Sequence, residues 1–258
     1  MKKVAAHIEQ WLAEYADRSG MRGWVVGVSG GIDSAVTSTL CARTGLPTYV
    51  VEMPIHQHPY QVGRAQRHIT ALASQFPNVH AVRVDLTGVY DALAAALPAG
   101  EDRSNGLALA NSRARLRMTT LYALAAERGA LVAGTGNKVE DFGVGFYTKY
   151  GDGGVDVSPI ADLVKTEVFA LAAELGVSSE IQSAAPTDGL WGDDRTDEDQ
   201  LGATYPELEW AMSNVDGDAS SWSAREREVM DIFKRLNRAN QHKMQPIPVC
   251  VIPDALRS

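Results

Sequence analysis

The amino-acid sequence predicts an α/β fold in which a single doubly wound parallel sheet carries helices on both faces. The prediction rests on short apolar runs that alternate with segments of helical periodicity through the first half of the chain. Strands that alternate with helices imply right-handed crossovers and therefore parallel strands. No internal repeat and no Ser- or Pro-rich linker divides the chain, so we expect one domain over residues 1–258.

Each element has its own sequence signal. Apolar residues at helical spacing predict a helix over residues 3–17, and further helices are expected near 33–43, 61–74, 89–97, 105–128 and 223–239. Apolar runs bounded by turn residues predict strands at 24–28, 48–52, 80–84 and 130–134. Residues 188–199 contain six acids and one arginine, so we expect a mobile surface loop near residues 188–204.

The composition narrows the class of protein. The 258 residues carry 24 Lys and Arg against 32 Asp and Glu, a formal charge of −8, which excludes a generally basic nucleic-acid binder. The sequence has no uncharged apolar run of about 18 residues that could span a membrane, so we expect a cytoplasmic protein. Cys41 and Cys250 are far apart without a Cys-x-x-Cys pair, so neither a zinc site nor a disulfide framework is indicated. Both are expected to be small core residues.

The strongest motif is Ser29-Gly30-Gly31-Ile32-Asp33-Ser34, which lies between a predicted strand and a predicted helix. Glycines let backbone N–H groups approach phosphate oxygens, and a helix N-terminus adds a favourable dipole. The loop lacks the Gly-Lys-Ser/Thr of the Walker motif and the third glycine of the dinucleotide fingerprint. We therefore expect a different kind of phosphate-binding loop. The alternative is an ordinary glycine turn in which Asp33 or Ser34 caps the helix.

Two further blocks follow the last of these strands. The first is GTGNKVE at residues 134–140. Ligands of open parallel sheets collect at the carboxyl ends of the strands, so Asp33 and Glu140 are expected to converge on one crevice. Two carboxylates beside phosphates suit an octahedral Mg²⁺, whereas each acid alone is typical of a solvated helix. The second block, FYTKYGDGGVD at residues 146–156, is too rich in aromatic and charged groups for a plain turn.

Together with GVSGGIDS at residues 27–34 and APT at 185–187, these blocks resemble ammonia-dependent NAD synthetase, a family of ATP pyrophosphatases with an SGGxDS loop. The resemblance covers about residues 27–243. It implies an adenine nucleotide alpha hydrolase-like fold and a homodimer. It also implies a reaction in two steps. ATP adenylates the nicotinate carboxylate of deamido-NAD with release of pyrophosphate, and ammonia then displaces AMP to give NAD.

The resemblance implies roles for individual residues. Asp33 and Glu140 would hold Mg²⁺, and Asp33, Lys165 and Thr187 would be catalytic. The co-substrate ATP would contact Gly27, Val28, Ser29, Gly30, Gly31, Ile32, Asp33, Ser34, Thr135, Lys165 and Thr187. Deamido-NAD would contact Arg115, Lys149, Asp156, His242 and Lys243. Without the resemblance, each of these basic residues would be interpreted as a solvated side chain.

Two other functions stay open on the sequence alone. A tRNA-modifying or GMP-forming ATP pyrophosphatase would share the fold, although the acidic charge and the missing Cys-x-x-Cys count against the tRNA enzymes. A nucleotide-binding regulatory module without catalysis would keep the glycine loop. Such a module would not need Asp33, Glu140, Lys165 and the block at 146–156 together.

Overall fold

Four parallel strands form the central sheet in the part of the chain that the structure, a computed structural model, describes: residues 1–98, 106–187 and 196–257. The strands are β1 (Trp24–Gly27), β2 (Thr48–Glu52), β3 (Val79–Arg83) and β4 (Leu131–Val132). Their order is β3-β2-β1-β4. The chain therefore moves outward from β1 to β3 and then returns to the other side of β1. This arrangement confirms the doubly wound parallel sheet.

Helices cover the sheet and extend beyond it. They are α1 (Lys2–Arg18), α2 (Ile32–Arg43), α3 (Pro59–Gln75), α4 (Thr87–Ala96), α5 (Leu107–Arg128), α6 (Lys165–Glu174), α7 (Ser179–Gln182), α8 (Asp197–Leu201), α9 (Tyr205–Ser213) and α10 (Ala224–Met244). A π-helix spans Val139–Val144, and short 3₁₀ turns lie at Ala219–Ser221 and Asp254–Leu256.

The two faces of β1 belong to different cores because successive strand residues point to opposite sides. Trp24 and Val26 are fully buried against α1, α2 and α6. Val25 lies in the other core, with residues of α4 and α5. Helices therefore pack on both faces, as the sequence predicted, and the strands read as continuous apolar runs for that reason.

A further apolar cluster lies outside the sheet. It joins the π-helix to α9 and α10 through residues such as Val144, Leu208 and Phe233. This cluster matters for function because the π-helix begins directly after the sequence block at 134–140. Packing against α9 and α10 fixes the position of that block.

Several boundaries differ from the sequence predictions for physical reasons. β4 has two residues because Ala133 makes only an isolated bridge to Val157 before the chain leaves the sheet. α10 continues to Met244, and Asn237 and Asn240 on it donate hydrogen bonds to carbonyls at the end of the π-helix.

In the predicted loop at 188–204, residues 188–195 lie outside the described residues. The following residues form α8, which Thr196 and Asp199 cap reciprocally.

The cysteines divide between the core and the surface. Cys41 is buried, as predicted, but Cys250 is exposed in the C-terminal tail, so the prediction of a core residue was wrong for Cys250. Among the described residues, no helix is both long and apolar enough to cross a membrane.

Candidate active site

The candidate site lies at the point where the strand order reverses. β1 has β2 on one side and β4 on the other, and the chain reaches β4 only after completing β2 and β3. Open α/β sheets bind ligands outside the carboxyl ends of the strands at such a switch point. The SGGIDS loop leaves β1 and the GTGNKVE block leaves β4 at this place.

The SGGIDS loop turns sharply at Gly30 and is pinned to α3. Gly30 has φ +84°, and a Cβ on it would lie 2.9 Å from the backbone nitrogen of Ala65. Arg64 also donates a hydrogen bond of 2.6 Å from Nε to the Gly30 carbonyl. Only glycine combines this backbone conformation with so close an approach. The loop conformation is therefore fixed before any ligand arrives.

The remainder of the loop presents the N-terminus of α2 to the cleft. Gly31 is the N-cap residue, and no side chain caps the helix. Ser34 Oγ donates to the Gly31 carbonyl at 2.9 Å, which keeps the first turn closed. The first amides of a helix have no partner within it, so the amides of Ile32, Asp33 and Ser34 can bind an anion.

A buried lysine joins the two predicted carboxylates. Lys165, the first residue of α6, is 2% exposed, and its Nζ lies 2.6 Å from Asp33 Oδ2 and 3.0 Å from Glu140 Oε1. Burial opposes the charged form, but Asp33 and Glu140 outweigh it and raise the pKa of Lys165. The ammonium is therefore a fixed positive charge between two acids.

The two acids respond differently to this environment. Burial, together with repulsion from Glu140, raises the pKa of Asp33. For Glu140, burial alone would raise the pKa, but the Lys165 charge and a hydrogen bond from Tyr205 hold it below its ordinary value. Glu140 is consequently the more firmly ionised of the two.

Two residues that the sequence analysis did not assign support this cluster. Asn137 donates from Nδ2 to Asp33 Oδ1 at 3.1 Å, and its Oδ1 accepts from the amides of Val139 and Glu140. The hydroxyl of Tyr205 donates to Glu140 Oε1 at 2.5 Å. Asn137 lies within the GTGNKVE block and could have been noticed there. No sequence signal connects Tyr205, on α9, with the site.

A cavity of about 270 Å³ opens in front of the cluster. Its lining includes these predicted residues: Gly27, Val28, Ser29, Gly31, Ile32, Asp33, Ser34, Thr135, Glu140, Lys165 and Thr187. Gly30 is not among them because it faces α3. Met53, Leu121 and Val155 give one part of the wall an apolar character, which suits a nucleobase.

Four further acids line the cavity, and two of them, Asp141 and Asp152, have clearly raised pKa values. Burial raises the pKa of Asp141 to about 8 and that of Asp152 to about 6. Neither acid was assigned from the sequence. Asp141 directly follows the block at 134–140 and Asp152 lies within the block at 146–156, but only the fold places them at the same cavity.

Most residues with an expected contact to deamido-NAD form a second group. Arg115 Nε donates to the carbonyl of Lys149 at 3.3 Å, and Lys149 Nζ donates to the carbonyl of His242 at 2.5 Å. Lys243 Nζ donates to the carbonyls of Gly145 and Tyr147 at 2.8 Å each. None of these four basic residues lines the cavity, but Tyr147 does, so the two groups adjoin.

Asp156 lies apart from that basic group. Its Oδ1 accepts from the Tyr122 hydroxyl at 3.0 Å, and its Oδ2 accepts from the amide of Val132 at 2.8 Å. The two carboxylate oxygens therefore fasten the end of the 146–156 block to α5 and to β4 respectively.

The fold and the cleft together define a nucleotide-binding α/β protein of the ATP pyrophosphatase class, with its phosphate loop at the switch point of the sheet. The model of the NAD synthase family matches residues 4–247, and the chain belongs to that family. Family membership removes the tRNA-modifying, GMP-forming and purely regulatory alternatives.

Individual relatives agree with the family. The chain is similar to the NH(3)-dependent NAD(+) synthetase of Carboxydothermus hydrogenoformans, with 39% identity over 90% of each chain. It is also similar to the solved structure of NMN synthetase from Francisella tularensis, with 31% identity, a TM-score of 0.84 and 98% of each chain covered. The NH3-dependent NAD synthetase of Campylobacter jejuni shares the fold, at 24% identity, a TM-score of 0.77 and coverage of 97% and 99%.

Proposed function

We propose that the protein catalyses the ATP-dependent amidation of deamido-NAD by ammonia, with NAD, AMP and pyrophosphate as products. The observation that carries the proposal is the Lys165 ammonium held between Asp33 and Glu140 beside the phosphate loop. Membership of the NAD synthase family supplies the substrate class. Curated relatives with 32–39% identity carry the name NH(3)-dependent NAD(+) synthetase.

The chemistry proceeds in two displacements. An oxygen of the nicotinate carboxylate attacks the α-phosphorus of ATP, and the bond from that phosphorus to pyrophosphate breaks. The nitrogen of ammonia then attacks the acyl carbon, the bond to AMP breaks, and the nitrogen loses a proton. The α2 amides and the Lys165 ammonium are positioned to stabilise the negative charge that moves onto pyrophosphate. No covalent bond to the protein is required.

The donor set of the cleft fits Mg²⁺. Asp33 and Glu140 both provide hard carboxylate oxygens, and both contact the same cation, the Lys165 ammonium. Mg²⁺ typically binds one or two carboxylates together with substrate phosphates. Within residues 1–98, 106–187 and 196–257, no group of three or more His, Cys, Asp or Glu could hold a metal by itself. We therefore propose that Asp33 and Glu140 hold Mg²⁺ jointly with ATP. When bound, the ion supplies positive charge that offsets the charge on the leaving pyrophosphate.

For deamido-NAD, we propose contacts with Arg115, Lys149, His242 and Lys243. Cations are suited to the pyrophosphate bridge of a dinucleotide. Tyr147 lines the cavity proposed for ATP and its carbonyl accepts from Lys243, so the sites proposed for the two substrates adjoin. Asp156 lies apart from these four residues, and we propose that it supports the deamido-NAD site by holding the 146–156 block against β4.

The deamidated counterpart of NMN is a second candidate substrate. The observation in its favour is the similarity to NMN synthetase from Francisella tularensis over 98% of both chains. The two substrates differ by an AMP unit, so kcat/KM measured with each at saturating ATP and ammonia separates them. We expect deamido-NAD to be preferred by at least about tenfold, because the basic group supplies phosphate contacts for the second nucleotide.

The test of the proposed function uses pyrophosphate release with ATP, Mg²⁺, deamido-NAD and ammonia. Asp33→Asn and Glu140→Gln should each lower the rate by at least about 100-fold while the protein stays folded. Glu127→Gln is the matched control, because Glu127 is exposed and pairs with its neighbour Arg128. Wild-type rates in both site variants would refute the assignment of Asp33 and Glu140.

We further propose that residues 1–258 act as one functional domain in the cytoplasm, and that the active form is a homodimer. Support for a dimer comes from the C-terminal tail, where Ile247, Val249 and Val251 expose most of their apolar surface. Val249→Asp combined with Val251→Asp should shift the sedimentation equilibrium from dimer towards monomer. An unchanged dimer would exclude the tail from the interface.

A further inference from the structure

Arg64 is a buried cation that no sequence motif predicted. It lies on α3 and is 7% exposed, and it lines the cavity beside the SGGIDS loop. Cations of this kind are almost never fully buried unless they are paired. Its surroundings therefore indicate what it binds.

The contacts of Arg64 with the described residues leave most of its N–H donors unused. Nε donates to the Gly30 carbonyl at 2.6 Å, and the guanidinium carbon lies 5.8 Å from the centre of the Tyr60 ring. Among the described residues, no carboxylate forms an ion pair with Arg64. The neighbouring Arg67 differs, because it pairs with Glu180 through both Nε and Nη2.

The charge of Glu180 acts on Arg64 from beyond ion-pair distance, so Arg64 is buried without a directly bound counter-ion in the described part of the chain. A buried charge in that situation is unfavourable, and the position therefore favours an anionic ligand. The anion can be identified from the location. Gly30, which Arg64 contacts, is the central residue of the phosphate loop, and Ala65 packs against that same glycine. A guanidinium has five N–H donors in a planar fork that matches phosphate geometry.

We propose that Arg64 binds the polyphosphate of ATP, and afterwards the released pyrophosphate, through its Nη groups. Its Nε stays on the Gly30 carbonyl, so the same side chain holds the loop and closes one side of the phosphate site. The inference rests on the proposed function, because it needs ATP in this cavity. Arg64, on α3, is then a further phosphate-binding residue beside the loop after β1, the block after β4 and Lys165 at the start of α6.

The test compares Arg64→Met with Arg67→Met. The two residues lie on the same helix, but Arg67 is outside the cavity and forms an exposed ion pair. Three quantities are measured for each variant: the KM for ATP, the KM for deamido-NAD, and the inhibition constants of pyrophosphate and adenosine. Arg64→Lys is included because it keeps the charge, and circular dichroism establishes that each variant is folded.

In Arg64→Met, we expect the KM for ATP and the inhibition constant of pyrophosphate to rise together by about 10- to 100-fold, the effect of losing charged hydrogen bonds. The KM for deamido-NAD and the inhibition by adenosine should stay within about twofold of wild type, as should all constants of Arg67→Met. Arg64→Lys should recover part of the pyrophosphate affinity.

Some results with the Arg64 variants would overturn the inference. If pyrophosphate and adenosine weaken equally, Arg64 only supports the loop and the inference is wrong. If Arg64→Met does not fold, Arg64→Gln replaces it, because glutamine also removes the charge, and unchanged pyrophosphate inhibition in a folded Arg64→Gln would overturn the inference. A wild-type protein that makes no NAD would instead contradict the proposed function, and pyrophosphate binding could still be measured directly.

Discussion

Replacement of Gly30 by alanine tests whether the phosphate loop depends on its close approach to α3. Gly30 has φ +84°, and the new Cβ would lie 2.9 Å from the backbone nitrogen of Ala65 and 3.1 Å from the carbonyl of Gln61. Gly45 is a matched control, since its φ is +78° and a Cβ there would have no neighbour within 4 Å. Both substitutions cause the same backbone strain, but only Gly30→Ala also causes a collision.

The expected losses in the free energy of unfolding follow from the backbone strain and the collision. The left-handed conformation costs an alanine about 1–2 kcal/mol, so Gly45→Ala should lower the free energy of unfolding by that amount. Overpacking against backbone atoms adds about 1–3 kcal/mol, so Gly30→Ala should lower it by about 2–5 kcal/mol in total. Urea unfolding measures both values. The displacement of the loop should also raise the KM for ATP by at least about tenfold in Gly30→Ala alone.

Equal losses of stability in the two variants, with an unchanged KM for ATP, would refute this reasoning. That result would mean that α3 moves away from the loop without cost. It would also remove the structural basis for the pinned loop conformation.

Other expected results concern individual side chains. Tyr205→Phe removes the donor to Glu140 and should lower kcat/KM by about tenfold, which steady-state kinetics can check. Burial lowers the pKa of His68 to about 4 from 6.5, so its contribution is complete above pH 6.5 and is lost as the pH falls towards 4. Wild type should therefore lose about 3 kcal/mol more stability than His68→Gln between pH 7 and 4 in urea titrations, and parallel profiles would contradict this. Ammonia but not ammonia-free glutamine should support synthesis, because burial closes off Cys41 and raises its pKa, while Cys250 lies in the exposed tail. Equal rates with both nitrogen sources would show otherwise.

The sequence was informative wherever a signal is local. The bounds of β2 were predicted correctly because its apolar run is continuous and bounded by turn residues. The meeting of Asp33 and Glu140 at Lys165 was foreseeable in outline, because both acids follow strands of a parallel sheet and such strands end at one edge. That expectation needed only the predicted strands and the positions of the two acids after them.

Features that depend on tertiary packing could not be predicted. The contact of Tyr205 with Glu140 joins residues 65 apart in sequence, and the contact of Arg64 with Gly30 depends on how α3 docks on the loop. The π-helix at Val139–Val144 has no periodicity of its own and is held by α9 and α10. Cys250 was misplaced because a small apolar residue looks the same in a core and in an exposed tail.

The ion cluster also has consequences for the order in which the protein folds during synthesis. Lys165 follows Asp33 by 132 residues and Glu140 by 25 residues in sequence. A nascent chain that ends before residue 165 contains both acids but not the cation that neutralises them. Burying two like charges without a counter-ion is unfavourable, so we expect the two acids of such a chain to stay in contact with solvent at neutral pH. The charges of the cleft are partly compensated only after α6 has been made.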